Sequence, residues 1–144
     1  MGTGATDMEP FLASAGVRMA DCDSGRAVVL QPPVPELENH VGVRHASALH
    51  AAGYAAGQAL VEAAVAELEE DVELRLQGSE IAYKAMGLGE LETVAEPAGG
   101  GWEGELEQLR AGSSVELTCT AATTNAEGKA VAELTLTWLA APAG

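Results

Sequence analysis

The stretch Asn39-His40-Val41-Gly42-Val43-Arg44-His45 runs straight into an alanine-rich segment, residues 46–65, and its reading decides the fold. The Asn, Gly and His read as a turn that delivers the chain to the start of one long helix. The segment that follows has no proline and is dominated by alanine, the strongest helix former. Leu49, Ala52, Ala56, Leu60 and Ala63 recur at helical spacing and predict its buried face. The pattern predicts a helix over about residues 45–67. Gly53 and Gly57 sit inside it. Each costs about 1 kcal/mol relative to alanine in a helix interior. The expected reason is packing: without a Cβ, the helix can lie very close to a sheet or a second helix. The start of such a helix presents free N–H groups and a positive dipole end, which suit an anion or a developing oxyanion.

Working outward, residues 1–10 and 140–144 read as flexible ends of a single domain spanning 1–144. Residues 11–15 suggest a short helix. Residues 16–20 and 26–30 read as strands joined by an Asp-, Ser- and Gly-rich turn. Pro32, Pro33 and Pro35 make the following connection extended. Beyond the helix and its acidic end, the chain is β-like. Residues 72–76, 79–86 and 90–96 are candidate strands, and 102–110 a linker or short helix. Residues 114–123 and 129–139 alternate clearly around an Asn125-Ala126-Glu127-Gly128 hairpin connection, although the pattern slips near Ala132-Glu133. The order is therefore two strands, one long helix and about four strands. One helix cannot cover both faces of a large antiparallel sheet. The expected solution is an α+β fold with a curved sheet wrapped around the helix, its open side closed by a second copy.

Composition narrows the partners. With 22 acidic and 7 basic residues, the formal net charge is -15. Nucleic acid and anionic membrane surfaces are excluded as expected partners. No basic leader precedes an apolar run, and the apolar part of residues 46–61 falls short of the roughly 20 residues a membrane span needs. Cys22 and Cys119 have no metal-binding spacing, so reduced thiols and a cytoplasmic location are expected, with a single disulfide as the alternative.

His50, Tyr54, Gln58 and Glu62 recur every four residues and form a polar stripe on the helix. Such a stripe is a solvated face, a partner contact or the lining of a cleft. His50 lies about 6 Å along the axis from Tyr54, and Glu62 about 12 Å. An imidazole suits base catalysis near neutrality, which makes His50 the candidate base. His40, His45 and His50 are spaced by five, which turns successive side chains away from a shared helix face, so no metal is expected.

Three motifs then resemble the hotdog-fold acyl-CoA thioesterase superfamily, in particular its PaaI-like bacterial branch. Asn39, Gly42 and His45 match an N-x-x-G-x-x-H turn and helix start. Residues 81–91, Ile-Ala-Tyr-Lys-Ala-Met-Gly-Leu-Gly-Glu-Leu, match a strand-turn-strand. Residues 126–132, Ala-Glu-Gly-Lys-Ala-Val-Ala, match the final hairpin. The resemblance implies a hotdog homodimer, or a dimer of dimers, with an acyl-CoA thioester at the dimer interface and no other cofactor. It implies an oxyanion hole at the N–H groups of Ala46 and Ser47, with Asn39 and His45 beside them as catalytic residues. Gly42 and Gln58 then line the substrate. The helix carboxylate of many relatives falls on Tyr54, a phenol that ionises near pH 10 and is a poor base, so its expected catalytic role is to orient a water or donate a hydrogen bond. Met86 replaces the usual strand-turn proline, and Lys84 an apolar residue. Gln77 and Ser79 stand nearest to the hydroxyl that some relatives carry on the strand entering this motif. Two functions stay open: thioester hydrolysis, or a non-catalytic domain binding an acyl or aromatic ligand or serving in assembly.

Overall fold

The computed structural model describes residues 9–143. A short helix α1 (Pro10–Ser14) precedes strands β1 (Arg18–Cys22) and β2 (Ala27–Gln31), and a single 3-10 turn (Pro35–Leu37) follows. The long helix α2 (Ala46–Ala66) comes next, then β3 (Val72–Tyr83), β4 (Leu91–Pro97), helix α3 (Glu103–Arg110), β5 (Val115–Asn125) and β6 (Ala130–Pro142). All six strands join one antiparallel sheet in the order β1-β2-β4-β5-β6-β3. Helix α2 lies across β1, β2, β4, β5 and β6.

The glycines explain how tightly the sheet closes on α2. A Cβ on Gly53 would sit 2.5 Å from Leu134, and one on Gly57 would overlap Leu136 and stand 3.1 Å from the Cys119 sulfur. The two positions are therefore contact points with β5 and β6, as their cost in the helix predicts. Leu49, Ala52, Ala56 and Leu60 are buried, whereas Ala63 is only half-buried. Burial extends further round the helix than one apolar stripe: Ala51, Ala55, Val61 and Ala64 are buried as well. Fully burying a Leu or Val side chain contributes roughly 1.5–3 kcal/mol, so Leu60 and Val61 anchor the helix's second half.

The structure corrects three expectations. Residues 72–76 and 79–86 are not two strands. They form one strand, β3, with a bulge where Leu76 faces Trp138 and Gly78 faces Thr137, leaving Gln77 as the extra residue. Residues 140–142 are not a tail: β6 continues to Pro142, and Ala140 is fully buried opposite Val115 and Leu74. The slip near Ala132 is a second bulge, at Val131, which leaves Val131 and Ala132 buried in succession. The expectation of flexible ends falls partly on residues 1–8 and 144, outside the described residues.

Candidate active site at the start of the central helix

Asn39 builds the turn ahead of α2. Its Oδ1 accepts the N–H groups of Val41 (3.0 Å) and Val43 (3.3 Å), and its backbone N–H donates to the Val43 carbonyl at 2.8 Å. Gly42 takes φ +82°, a left-handed conformation that glycine adopts without strain. Both residues thus shape the loop, and the Asn39 side-chain oxygen is occupied by it. His45 is the N-cap of α2, and its Nδ1 accepts the Ser47 N–H at 3.0 Å. An accepting Nδ1 carries no proton, so the ring hydrogen belongs on Nε2. One of the two expected oxyanion donors, the Ser47 N–H, is therefore engaged by the cap. The Ala46 N–H has no partner among the described residues.

The cap stands on a polar network that the sequence reading does not anticipate. Arg44 is 3% exposed. It donates to Gln31 Oε1 at 2.8 Å and to the Gly89 carbonyl, and its backbone N–H reaches the Gly87 carbonyl at 2.8 Å. Gln31 in turn donates to the carbonyls of Ala15 (3.0 Å) and Ala48 (2.9 Å). The network ties the end of β2, the first turn of α2 and the loop before β4 together. Burial lowers the Arg44 pKa from the ordinary guanidinium value, and the charge of Glu38 partly opposes this. Its Nε has no partner among the described residues. The available signals were an Arg beside the cap residue and a Gln closing the apolar run of β2.

Along the exposed side of α2 lies an open cleft of about 620 Å³ lined by Glu9, Phe11, Ser47, His50, Ala51 and Tyr54. An adjoining cleft of about 240 Å³ shares Phe11, Ser47 and Ala51 and adds His45. The structure thus gathers Ser47, His50 and Tyr54 in one cleft and His45 in its neighbour. Asn39, Gly42 and Ala46 line neither, and Gln58 lies one turn beyond Tyr54. His50 Nε2 is 3.1 Å from Ser79 Oγ on β3. The Tyr54 ring stacks at a tilt on Trp138, with centroids 5.7 Å apart. Burial raises the Tyr54 phenol, and Glu9 and Glu62 add to the shift. Burial likewise raises the Glu62 carboxyl, helped by Glu9. Among the described residues, no group of three or more His, Cys, Asp or Glu converges as a metal site, and no helix is long and apolar enough to cross a membrane.

A six-stranded antiparallel sheet around one long central helix is the hotdog fold, and solved structures named as thioesterases share it. A Shewanella oneidensis protein, provisionally named a thioesterase, aligns with TM-score 0.79 at 16% identity, over 92% of this chain and 89% of its own. A Mycobacterium tuberculosis protein, provisionally named an esterase, aligns with TM-score 0.77 at 15% identity, over 94% and 99%. A hypothetical thioesterase from Streptococcus pneumoniae, solved with coenzyme A, aligns with TM-score 0.71 at 19% identity, over 92% and 93%. At these identities the likeness is one of fold. The chain belongs to the family described as a domain of unknown function (DUF4442), whose model matches residues 2–140. No curated protein matches it.

Proposed function

We propose that this protein hydrolyses acyl thioesters of coenzyme A, as a homodimer in which a second copy closes the cleft along α2. The observation that carries the reading is the hydrogen bond between His50, which lines that cleft, and Ser79 on the exposed part of β3. The coenzyme A bound by a hotdog relative supports the substrate class. The N-x-x-G-x-x-H match at Asn39, Gly42 and His45 favours the PaaI-like branch. The Ala46 N–H, at the positive end of the α2 dipole, stabilises the oxyanion of the tetrahedral intermediate. His50 accepts the proton of the attacking nucleophile. The Tyr54 hydroxyl donates a hydrogen bond to the substrate or to water. Beyond the coenzyme A of its substrate the reaction needs no cofactor. The free thiols Cys22 and Cys119 suit the reducing cytoplasm.

The dimer follows from the sheet edge. β3 is a 12-residue edge strand whose inner residues Leu74, Leu76 and Ile81 are only half-buried. An exposed edge of that length invites pairing, and a second copy offers the same edge. Light scattering at micromolar concentration is expected to give at least twice the chain mass, and a stable monomer overturns the shared cleft. A panel of acyl-CoA esters with a thiol-reporting dye tests the activity. Silence across the panel overturns hydrolysis.

A second reading, a non-catalytic domain that binds an acyl or aromatic ligand, is favoured by one feature. Tyr54 occupies the place of the helix carboxylate, and its environment pushes the phenol further from ionisation. On that reading titration calorimetry detects acyl-CoA binding while the dye assay stays silent.

A further inference from the structure

We infer that Ser79 and His50 form a nucleophile–base dyad, and that acyl transfer passes through an ester on the Ser79 hydroxyl; this rests on the thioesterase reading above. The strand geometry carries the argument. Before the Gln77 bulge, Leu74 and Leu76 share the inward face with their partners Ala140 and Trp138. After it, Ser79 and Ile81 stand opposite the buried Leu136 and Leu134. The inward parity of β3 thus switches from even to odd at one extra residue. A regular strand would turn Gly78 and Glu80 toward the helix instead. The bulge replaces a carboxylate with a hydroxyl on the side facing α2, and bulges often re-aim a side chain in this way beside active sites. His50 comes from the opposite element to meet that hydroxyl at 3.1 Å, within reach for proton transfer. The pair also accounts for Tyr54: a serine activated by histidine needs no carboxylate on the helix.

The step balances with water as the only co-reactant. Ser79 Oγ attacks the thioester carbonyl carbon, and its proton passes to His50 Nε2. The C–S bond breaks, and the coenzyme A sulfur leaves with that proton. An ester remains on Ser79. Water attacks it, His50 takes the water's proton, and that proton returns to Ser79 Oγ as the free acid departs.

Partitioning tests the shared intermediate without requiring it to accumulate. The full chain is given butyryl-CoA or p-nitrophenyl butyrate in dilute methanol, and butyric acid and methyl butyrate are measured. A common acyl-Ser79 predicts the same acid-to-ester ratio from both substrates. It also predicts that Ser79→Ala and His50→Gln each lower turnover about 10²–10⁴-fold with unchanged circular dichroism. Glutamine keeps a hydrogen-bonding group but no base, so a merely structural His50 would tolerate it. Ratios that differ between the substrates, or a Ser79→Ala variant as fast as wild type, overturn the dyad and leave thioester hydrolysis standing. No turnover of either substrate by the wild type overturns both.

Discussion

The two faces of α2 follow different rules. The sheet-facing side is written in glycine and alanine, because distance governs it: Gly53 and Gly57 let the backbone approach Leu134, Leu136 and Cys119. The open side carries His50, Tyr54, Gln58 and Glu62, half-buried or exposed, above a cleft and an uncovered strand. One side has almost no freedom of side-chain size and the other has chemical variety. Substitutions should therefore act on stability on the first side and on turnover on the second.

The largest stability effect is expected at the closest contact. In Gly57→Leu, the new side chain must displace Leu136 and press on the Cys119 sulfur. Overpacking a well-filled core costs about 1–3 kcal/mol and occasionally more, and this site belongs at the upper end because the Leu136 and Cys119 side chains it meets are fully buried. Urea denaturation checks it. A variant as stable as wild type would mean that the helix does not lie against β5 and β6 at this distance.

The same face has a pH signature. Burial pushes the Cys119 thiol up to about 11 from 9.0. The Trp138 indole N–H offsets this in part, although its contact with the sulfur falls short of a full hydrogen bond. A thiol whose folded pKa is raised stays protonated in the native state while the unfolded chain already ionises. Its contribution is complete below pH 9 and is lost as pH rises toward about 11. The shift corresponds to roughly 3 kcal/mol. The difference in unfolding free energy between wild type and Cys119→Ala, followed across that window, isolates the thiol from other alkaline titrations. A difference that does not change with pH would mean the thiol is solvated.

A smaller effect is expected at the turn. Asn39→Ala removes the acceptor of two backbone N–H groups. At about 1 kcal/mol for a typical hydrogen bond, the loss should lie near 1–2 kcal/mol, because water can reach part of the loop. Thermal unfolding would reveal it. If stability is unchanged while thioester turnover falls, Asn39 acts on the substrate and the loop keeps its shape without it.

What was legible in the sequence divides along the same line. Helical periodicity, the internal glycines and the alternation of β5 and β6 are local signals, and they lead to the architecture. The bulge at Gln77 hides the continuity of β3, because one extra residue breaks the alternation on which strand reading depends. The bulge at Val131 does the same in β6. The Arg44–Gln31 network joins residues 13 positions apart that no periodicity connects. The start of α2 at His45 is legible in the sequence, but the capping role of its side chain is not: Ser, Thr, Asp and Asn are the usual N-cap residues, and histidine fills the place here. Ser79 lay in a candidate strand, but only the register brings it beneath His50.

The smallest stability effect is expected at Tyr54, where the comparison between the faces is sharpest. Its hydroxyl makes no hydrogen bond to a described residue, and the ring's contact with Trp138 survives in phenylalanine. Tyr54→Phe should therefore stay within about 0.5 kcal/mol of wild type, because the ring keeps its packing against the core. Its effect on rate is the informative quantity. If the phenol orients water or substrate, Tyr54→Phe lowers turnover while stability holds. Tyr54→Asp asks the converse question, by supplying a carboxylate at the position to which the sequence resemblance assigns one. A positioned base is worth about 10²–10⁴-fold, so a protein limited by the missing acid should hydrolyse acyl-CoA faster with it. A protein already served by His50 and Ser79 should gain nothing, and should lose rate if the new charge disturbs the cleft. The sign of that single change therefore separates a site that has lost its base from one that has replaced it.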